Sequence, residues 1–258
     1  MRSDLEIKQS TIRTGGFAYL TQLVRSFIFW GIRFFDRRNK STGLKGLVVY
    51  SGDLIGQEIV LNGLFERTEL ELLFKWLADN KFIVGAAIDI GANIGNHSVF
   101  FSKYYDKVYS YEPHPITFKI LEINALQNTN IVCYSFGASN ADKTATIYTV
   151  DGSMGGASLH PHATDEAMVS QQIQLKPLDL QEDLQNVKVG LIKVDVEGHE
   201  LFALMGAQQL IMKNRPVIVF EQHPTDFVGD STPTINFLKS IGYDSFAHIE
   251  ATPTLPFW

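Results

Sequence analysis

The chain has 258 residues, 45% hydrophobic and 19% charged, which is the composition of a globular protein long enough to bury a full core as one domain. Its single cysteine, Cys133, lies in an apolar run, so it cannot form an internal disulfide and reads as a buried thiol suited to a reducing cytoplasm. The net charge of −6 is uneven, because residues 1–45 carry nine Lys or Arg against three Asp or Glu. The remaining acidic body argues against a nucleic-acid substrate, which usually wants a basic groove.

The charge divides the chain into a basic N-terminal arm, residues 1–45, and a body, residues 46–258. Residues 1–16 are polar. Residues 17–38 read as a helix: Leu20, Leu23, Val24, Phe27, Ile28, Gly31, Phe34 and Phe35 recur at helical spacing, with Gln22, Arg25, Ser26 and Arg33 opposite. Phe29, Trp30 and Ile32 interrupt the polar side. Arg25 and Arg33 also break the apolar run, so neither a signal peptide nor a membrane span is expected. Two placements stay open. One is peripheral contact with the anionic inner face of a membrane. The other is docking on the chain's own body or on a second subunit, the commoner fate of an apolar helix.

Residues 47–50 and 58–61 flank Ser51-Gly52-Asp53 and suggest a hairpin. Residues 68–79 form a helix with Leu70, Leu72, Leu73, Trp76 and Leu77 on its apolar face and Thr68 as cap. The apolar run 82–88 reads as a buried strand leading into Asp89-Ile90-Gly91-Ala92-Asn93-Ile94-Gly95-Asn96. Gly91 and Gly95 bracket a tight turn before a helix, so backbone N–H groups can approach a ligand there. A dinucleotide loop wants glycine where Asn93 and Asn96 stand, which disfavours a nicotinamide oxidoreductase. Asp89 would repel a pyrophosphate yet could help hold a cationic amino group. A second strand, 107–111, ends in Glu112-Pro113, and Glu112 falls roughly 20 residues past the turn, where a βαβ unit sets an acid against ribose hydroxyls. A ribose, a cationic group and no pyrophosphate describe S-adenosylmethionine.

A helix over 116–127 and a strand over 130–136 follow. Residues 144–149 and 169–175 alternate as strands do, pairing either with each other or with the main sheet. The glycine-rich stretch 151–162 between them reads as a substrate-side lid, with His160 and His162 as solvated surface rather than a metal pair. Strands over 189–194 and 216–220 end in Asp195 and Glu221, with a helix over 201–211 between them. A helix over 235–241 and a last strand over 243–249 complete the body. Alternating strands and helices give a parallel-rich α/β sheet with helices on both faces. Asp89, Glu112, Asp195 and Glu221 all fall at strand ends, where ligands bind in such sheets. Asp195 with Glu197 could alternatively cap the next helix.

Five blocks in order make the chain resemble the FkbM family of class I S-adenosylmethionine-dependent methyltransferases. They are Gly63-Leu64-Phe65-Glu66, residues 89–95, Tyr111-Glu112-Pro113, residues 193–200, and residues 216–221. The resemblance implies a Rossmann-like three-layer sandwich with that family's strand order, preceded here by the helical arm. It implies a cofactor site of Glu66, Asp89, Gly91, Asn93, Gly95, Asn96, Glu112 and Pro113, with adenine near Gly137-Ala138-Ser139-Asn140. Glu66 could equally be the solvated start of its helix. The implied reaction is O-methylation of a hydroxyl on a sugar, glycan, glycolipid or natural-product scaffold. Asp195, His199 and Glu221 are its candidate acceptor-side groups, His223 is a further base, and His97 reads as structural. Asp195-Val196-Glu197-Gly198 stands where nitrogen-methylating relatives carry an Asp/Asn-Pro-Pro-aromatic signature. A Mg²⁺ held by Asp195, Glu221 and Gln222 is a variant of the same chemistry. A non-catalytic nucleoside-binding scaffold is the rival from another class.

Overall fold

The structure, a computed structural model, describes residues 16–40, 46–50, 52–150 and 168–249. The elements run α1 (Gly16–Lys40), α2 (Leu54–Asn62), α3 (Arg67–Asp79), β1 (Ala86–Ile90), α4 (Asn96–Phe101), β2 (Lys107–Tyr111), α5 (Pro115–Ala125), β3 (Ile131–Tyr134), β4 (Gly137–Ala138), β5 (Lys143–Val150), β6 (Met168–Lys176), β7 (Val189–Val194), α6 (Glu200–Met205), α7 (Gln208–Asn214), β8 (Val217–Phe220) and α8 (Pro233–Ser240). The lid expected over 151–162, its two histidines, and the tail 253–258 lie outside the described residues. Among the described residues no helix is long and apolar enough to cross a membrane.

β1 lies at the centre of a five-stranded parallel sheet in the order β3-β2-β1-β7-β8. All five of its residues are buried, as a strand covered on both faces must be. Its side chains alternate between two cores. Ala86, Ile88 and Ile90 join Tyr111, Ile192 and Val194 against Leu204, Ile211 and Leu238 of α6, α7 and α8. Ala87 joins Val108 and Leu191 against Leu73, Phe74 and Leu77 of α3 and Phe100 and Phe101 of α4. Phe74 anchors the second core, edge-on to Phe100 at 5.0 Å and stacked on Phe101 at 5.4 Å. Burying one such ring is worth about 1.5–3 kcal/mol.

The chain winds outward from β1 to β3, then returns through β7 to β8. The order therefore reverses between β1 and β7, and open α/β sheets bind ligands at such a point, beyond the strands' carboxyl ends. β5 and β6 pair with each other, antiparallel from Lys143↔Leu175 to Val150↔Met168, and β4 joins β6 in a separate three-stranded sheet. That resolves the alternative left open by their alternation.

Five expectations need correction. Residues 46–50 and α2 do not form a hairpin. Asp53 caps α2 by accepting from the Gly56 N–H at 2.7 Å, and Gly63 closes it in the left-handed conformation at φ 82°. Helix α3 is preceded by Glu66, at φ 53°, and Thr68 lies inside it rather than capping it. The central strand starts at Ala86, whereas Phe82 and Val84 are exposed. Residues 243–249 pair into neither sheet; Tyr243 instead donates to the Pro216 carbonyl at 2.7 Å and lies under the Arg215 guanidinium. The helix expected over 201–211 is divided into α6 and α7 by Gly206 and Ala207. A Cβ at Gly206 would fall 1.9 Å from the Ser139 carbonyl oxygen.

Candidate active site

The loop after β1 is shaped by close approach. Gly91 has φ 76°, and a Cβ there would fall 1.8 Å from the Asp195 carbonyl oxygen. β1 and β7 can therefore bring their ends together. Asn93, also left-handed at φ 49°, turns its N–H toward Glu112.

Beneath this loop lies a buried charge cluster. Asp89 is completely buried; its Oδ2 accepts from Ser98 Oγ at 2.6 Å, and Ser98 Oγ accepts from Ser110 Oγ at 2.8 Å. Its Oδ1 takes no hydrogen bond and faces Lys193 Nζ at 3.6 Å. Lys193 also donates to the Gly91 carbonyl at 3.0 Å and meets Asp195 Oδ2 at 3.1 Å. Burial alone would lower the lysine's pKa, but Asp195 and Asp89 together raise it above the ordinary value. Burial likewise works to raise Asp195, and the Lys193 ammonium outweighs it, leaving that carboxyl below the usual range.

Glu112 is buried just past β2. Its Oε2 accepts from the Asn93 N–H at 3.0 Å and its Oε1 from the His114 N–H at 2.8 Å. Burial pushes its pKa to about 7, even though both hydrogen bonds favour the ionised form. On the far side, Glu221 follows β8, half-exposed, and shares a hydrogen bond with Asp195. Burial and the Asp195 charge push it, too, to about 7. His199 Nε2 meets Ser139 Oγ at 3.0 Å, and its ring stacks on Phe202. The turn before α6 is held by Glu200, whose Oε1 accepts from the N–H groups of Val196 and Gly198 at 3.2 and 3.1 Å. That is the capping task considered for Asp195 and Glu197, and it leaves Asp195 to Lys193 and Glu221.

One cavity of about 230 Å³ gathers most of the sequence-predicted site residues: Glu66, Gly91, Asn93, Glu112, Pro113, Asp195, His199 and Glu221 all line it. Gly137 and Ala138 also line it, with Pro113 close beside Gly137, and Ile147, Ile173 and Leu175 of the small sheet add apolar lining. Three expected residues do not line it. Asp89 is completely buried below the loop, 3.6 Å from Lys193 Nζ. Gly95 packs on Leu121. The Asn96 amide clasps the Phe65 backbone, accepting from its N–H and donating to its carbonyl, both at 3.0 Å. Through Phe65 it fixes Glu66, whose Oε2 lies 3.2 Å from His97 Nε2.

The Mg²⁺ set of Asp195, Glu221 and Gln222 is not assembled. The Gln222 side-chain oxygen accepts from Thr232 Oγ1, and an ammonium already sits on Asp195. Among the described residues no group of three or more His, Cys, Asp and Glu could hold a metal. The residue that sequence reasoning passed over is Lys193. Its signal was present: a lysine inside the otherwise apolar strand 189–194 must find a counter-charge.

The site geometry can be set beside known proteins. A family model described as the methyltransferase FkbM domain matches residues 89–250, well over half of the chain. The hexuronic acid methyltransferase AglP of Haloferax volcanii is 29% identical over 170 residues, 65% of this chain and 63% of that protein. The chain thus spans somewhat less than two thirds of that relative. Among solved structures, a methyltransferase FkbM from Methylobacillus flagellatus has 18% identity and a TM-score of 0.41, covering 81% of this chain and 63% of that one. The precorrin 8W decarboxylase of Methanobacterium thermoautotrophicum has 14% identity and a TM-score of 0.36, covering 62% and 64%. Likeness at those scores carries no weight by itself. The matched segment begins at Asp89 and takes in the glycine loop, Glu112, Lys193, Asp195 and Glu221, and on it the chain belongs to the FkbM methyltransferase family.

Proposed function

We propose that the protein is an S-adenosylmethionine-dependent O-methyltransferase acting on a hydroxyl of a sugar-class acceptor: a sugar, glycan, glycolipid or glycosylated natural product. One observation carries this reading. A single cavity holds two carboxyl groups with pKa values near 7, one clamped by backbone N–H groups and the other sharing a hydrogen bond with an ionised partner.

The residues fit a nucleoside. Glu112 offers a fixed acceptor for ribose hydroxyls, and Pro113, Gly137, Ala138, Ile147, Ile173 and Leu175 supply apolar lining suited to a base. The asparagines of the loop and the acidic lining do not suit a pyrophosphate. When bound, the donor supplies an electrophilic methyl carbon, and the chain's own groups do the rest. They hold the acceptor oxygen in line and take its proton. Glu221 is the base. Asp195 stays ionised because Lys193 pairs with it, and burial together with that charge holds the Glu221 pKa close to neutral, where a base is most effective. His199, oriented by Ser139, borders the acceptor.

The lining also bears on which oxygen is methylated. Glu66, Asp195, Glu197 and Glu221 face the same space, so an acceptor carboxylate would meet like charge, whereas a neutral hydroxyl would not. The relative named for a hexuronic acid supports a sugar-class acceptor, and the acidic lining favours its hydroxyls.

The test is isothermal titration of the full chain with S-adenosylmethionine and, separately, NADH. Micromolar binding of the first and none of the second is expected, followed by label transfer from methyl-labelled donor to a panel of neutral and acidic sugars. NADH binding, or no donor binding by folded protein, overturns the reading.

A further inference from the structure

We infer that α1 is a surface-binding helix that lies on an anionic lipid bilayer. It has 25 residues, about 37 Å of helix at 1.5 Å per residue. It meets the body near its C-terminal end, where Asn39 donates to the Leu61 carbonyl of α2 at 3.2 Å. Most of its apolar side chains are exposed. At 100° per residue, Tyr19, Leu20, Leu23, Phe27, Trp30 and Phe34 fall within one arc of about 100°. Phe27 and Trp30 are 72% and 64% exposed. The rings make a continuous ladder, Phe27 on Trp30 and Trp30 on Phe34, both at 6.1 Å. A water-soluble body leaves no such stripe uncovered without a partner.

Charge decides among partners. Arg25, Arg33 and Arg37 are exposed off or along the edge of the stripe, and the arm as a whole has nine basic residues against three acidic ones. A second copy of α1 laid against the first would bring two such arms together, and like charges oppose that pairing. Bulky Phe and Trp also replace the Leu and Ile that helix seams favour. An anionic bilayer meets both features at once: aromatic and aliphatic side chains sink to the acyl boundary and arginines stay among the headgroups. The acidic body is held off the same surface, so the arm approaches first. No described helix is apolar enough to span, which makes the contact one of lying on the bilayer.

Flotation of the full chain with vesicles tests this. Phosphatidylcholine vesicles containing phosphatidylglycerol should carry the protein up the gradient, and pure phosphatidylcholine should not. Phe27→Glu and Trp30→Glu are each expected to weaken partitioning roughly tenfold or more. Arg25→Gln and Arg33→Gln should weaken it roughly fivefold each, and raised salt should act likewise. All four sites are exposed, and an unchanged unfolding temperature confirms that folding is intact. Three outcomes overturn the inference: no flotation on anionic vesicles, equal flotation on neutral ones, or a stable dimer that Phe27→Glu dissolves while vesicles bind nothing.

Discussion

The two halves of the cavity hold carboxyl groups of nearly equal proton affinity and opposite design. Glu112 is buried, and backbone N–H groups fix both its oxygens. Glu221 is half-exposed, and its affinity is set by burial and by Asp195. Burial is the leading cause in both, and a like charge adds to each: Asp89 only as a minor contribution at Glu112, Asp195 as the second contribution at Glu221. A group immobilised on both oxygens is suited to recognition, because its geometry cannot follow a moving proton. A group with an open oxygen and a charged neighbour is suited to accepting one. Lys193 connects the halves, touching Asp89 below the binding loop and Asp195 beside the base.

Removing that link should have the largest effect. Lys193→Met leaves Asp89 buried without a counter-charge, and breaking a buried pair in this way costs about 3–5 kcal/mol. Urea denaturation should show the loss as a lowered midpoint at unchanged slope; a loss under about 1 kcal/mol would mean that water reaches Asp89 and the halves are not coupled. Next comes Glu221→Gln, expected to lower kcat by about 10²–10⁴-fold while leaving donor affinity intact. If donor affinity fell in parallel, the division between recognition and proton transfer would be wrong. Glu112→Gln should do the reverse. Its amide nitrogen would face the N–H of Asn93 or His114, and donor affinity should fall by about 1.5–3 kcal/mol, the worth of a hydrogen bond to a charged group. Turnover at saturating donor should change far less, as progress curves would show.

Sequence carried the parallel sheet and the crevice well, because both follow from strong local signals. The apolar runs ending in Asp89, Glu112, Asp195 and Glu221 put four acids at strand ends whatever the helices do. Where signals were short, sequence misled. Glu58-Ile59-Val60-Leu61 looks like a strand over four residues, yet Asp53 and Gly63, ten positions apart, are cap signals for the helix between them. Residues 243–249 have strand composition, but Tyr243 is drawn to Arg215 and Pro216 instead of a ladder. Asn96 and Gly95 belong to the motif, and their contacts with the Phe65 backbone and Leu121 are ones only the tertiary structure reveals. The burial of Asp89 was not legible either, because a strand end is normally open; Lys193, brought alongside it in register by β7, covers it.

The smallest predicted effect is the most discriminating one, since it separates the two carboxyl groups by pH alone. Glu112 has its pKa raised to about 7, so near pH 6 it is mostly protonated and near pH 8 mostly ionised. In the ligand-free chain a raised carboxyl favours the folded state at low pH, and that advantage is lost as pH climbs from about 4.5 through 7. Ribose hydroxyls donate best to the ionised form, so the donor must expel that proton to bind. Affinity should therefore rise roughly tenfold between pH 6 and pH 8, with net proton release near pH 6.5 visible as a buffer-dependent heat. Glu112→Gln should flatten the profile, and Glu221→Gln should leave its slope in place. A wild-type profile already flat would mean that Glu112 recognises the ribose as a neutral acid, and one flattened by Glu221→Gln would place the donor's proton-linked contact on the wrong side of the cavity.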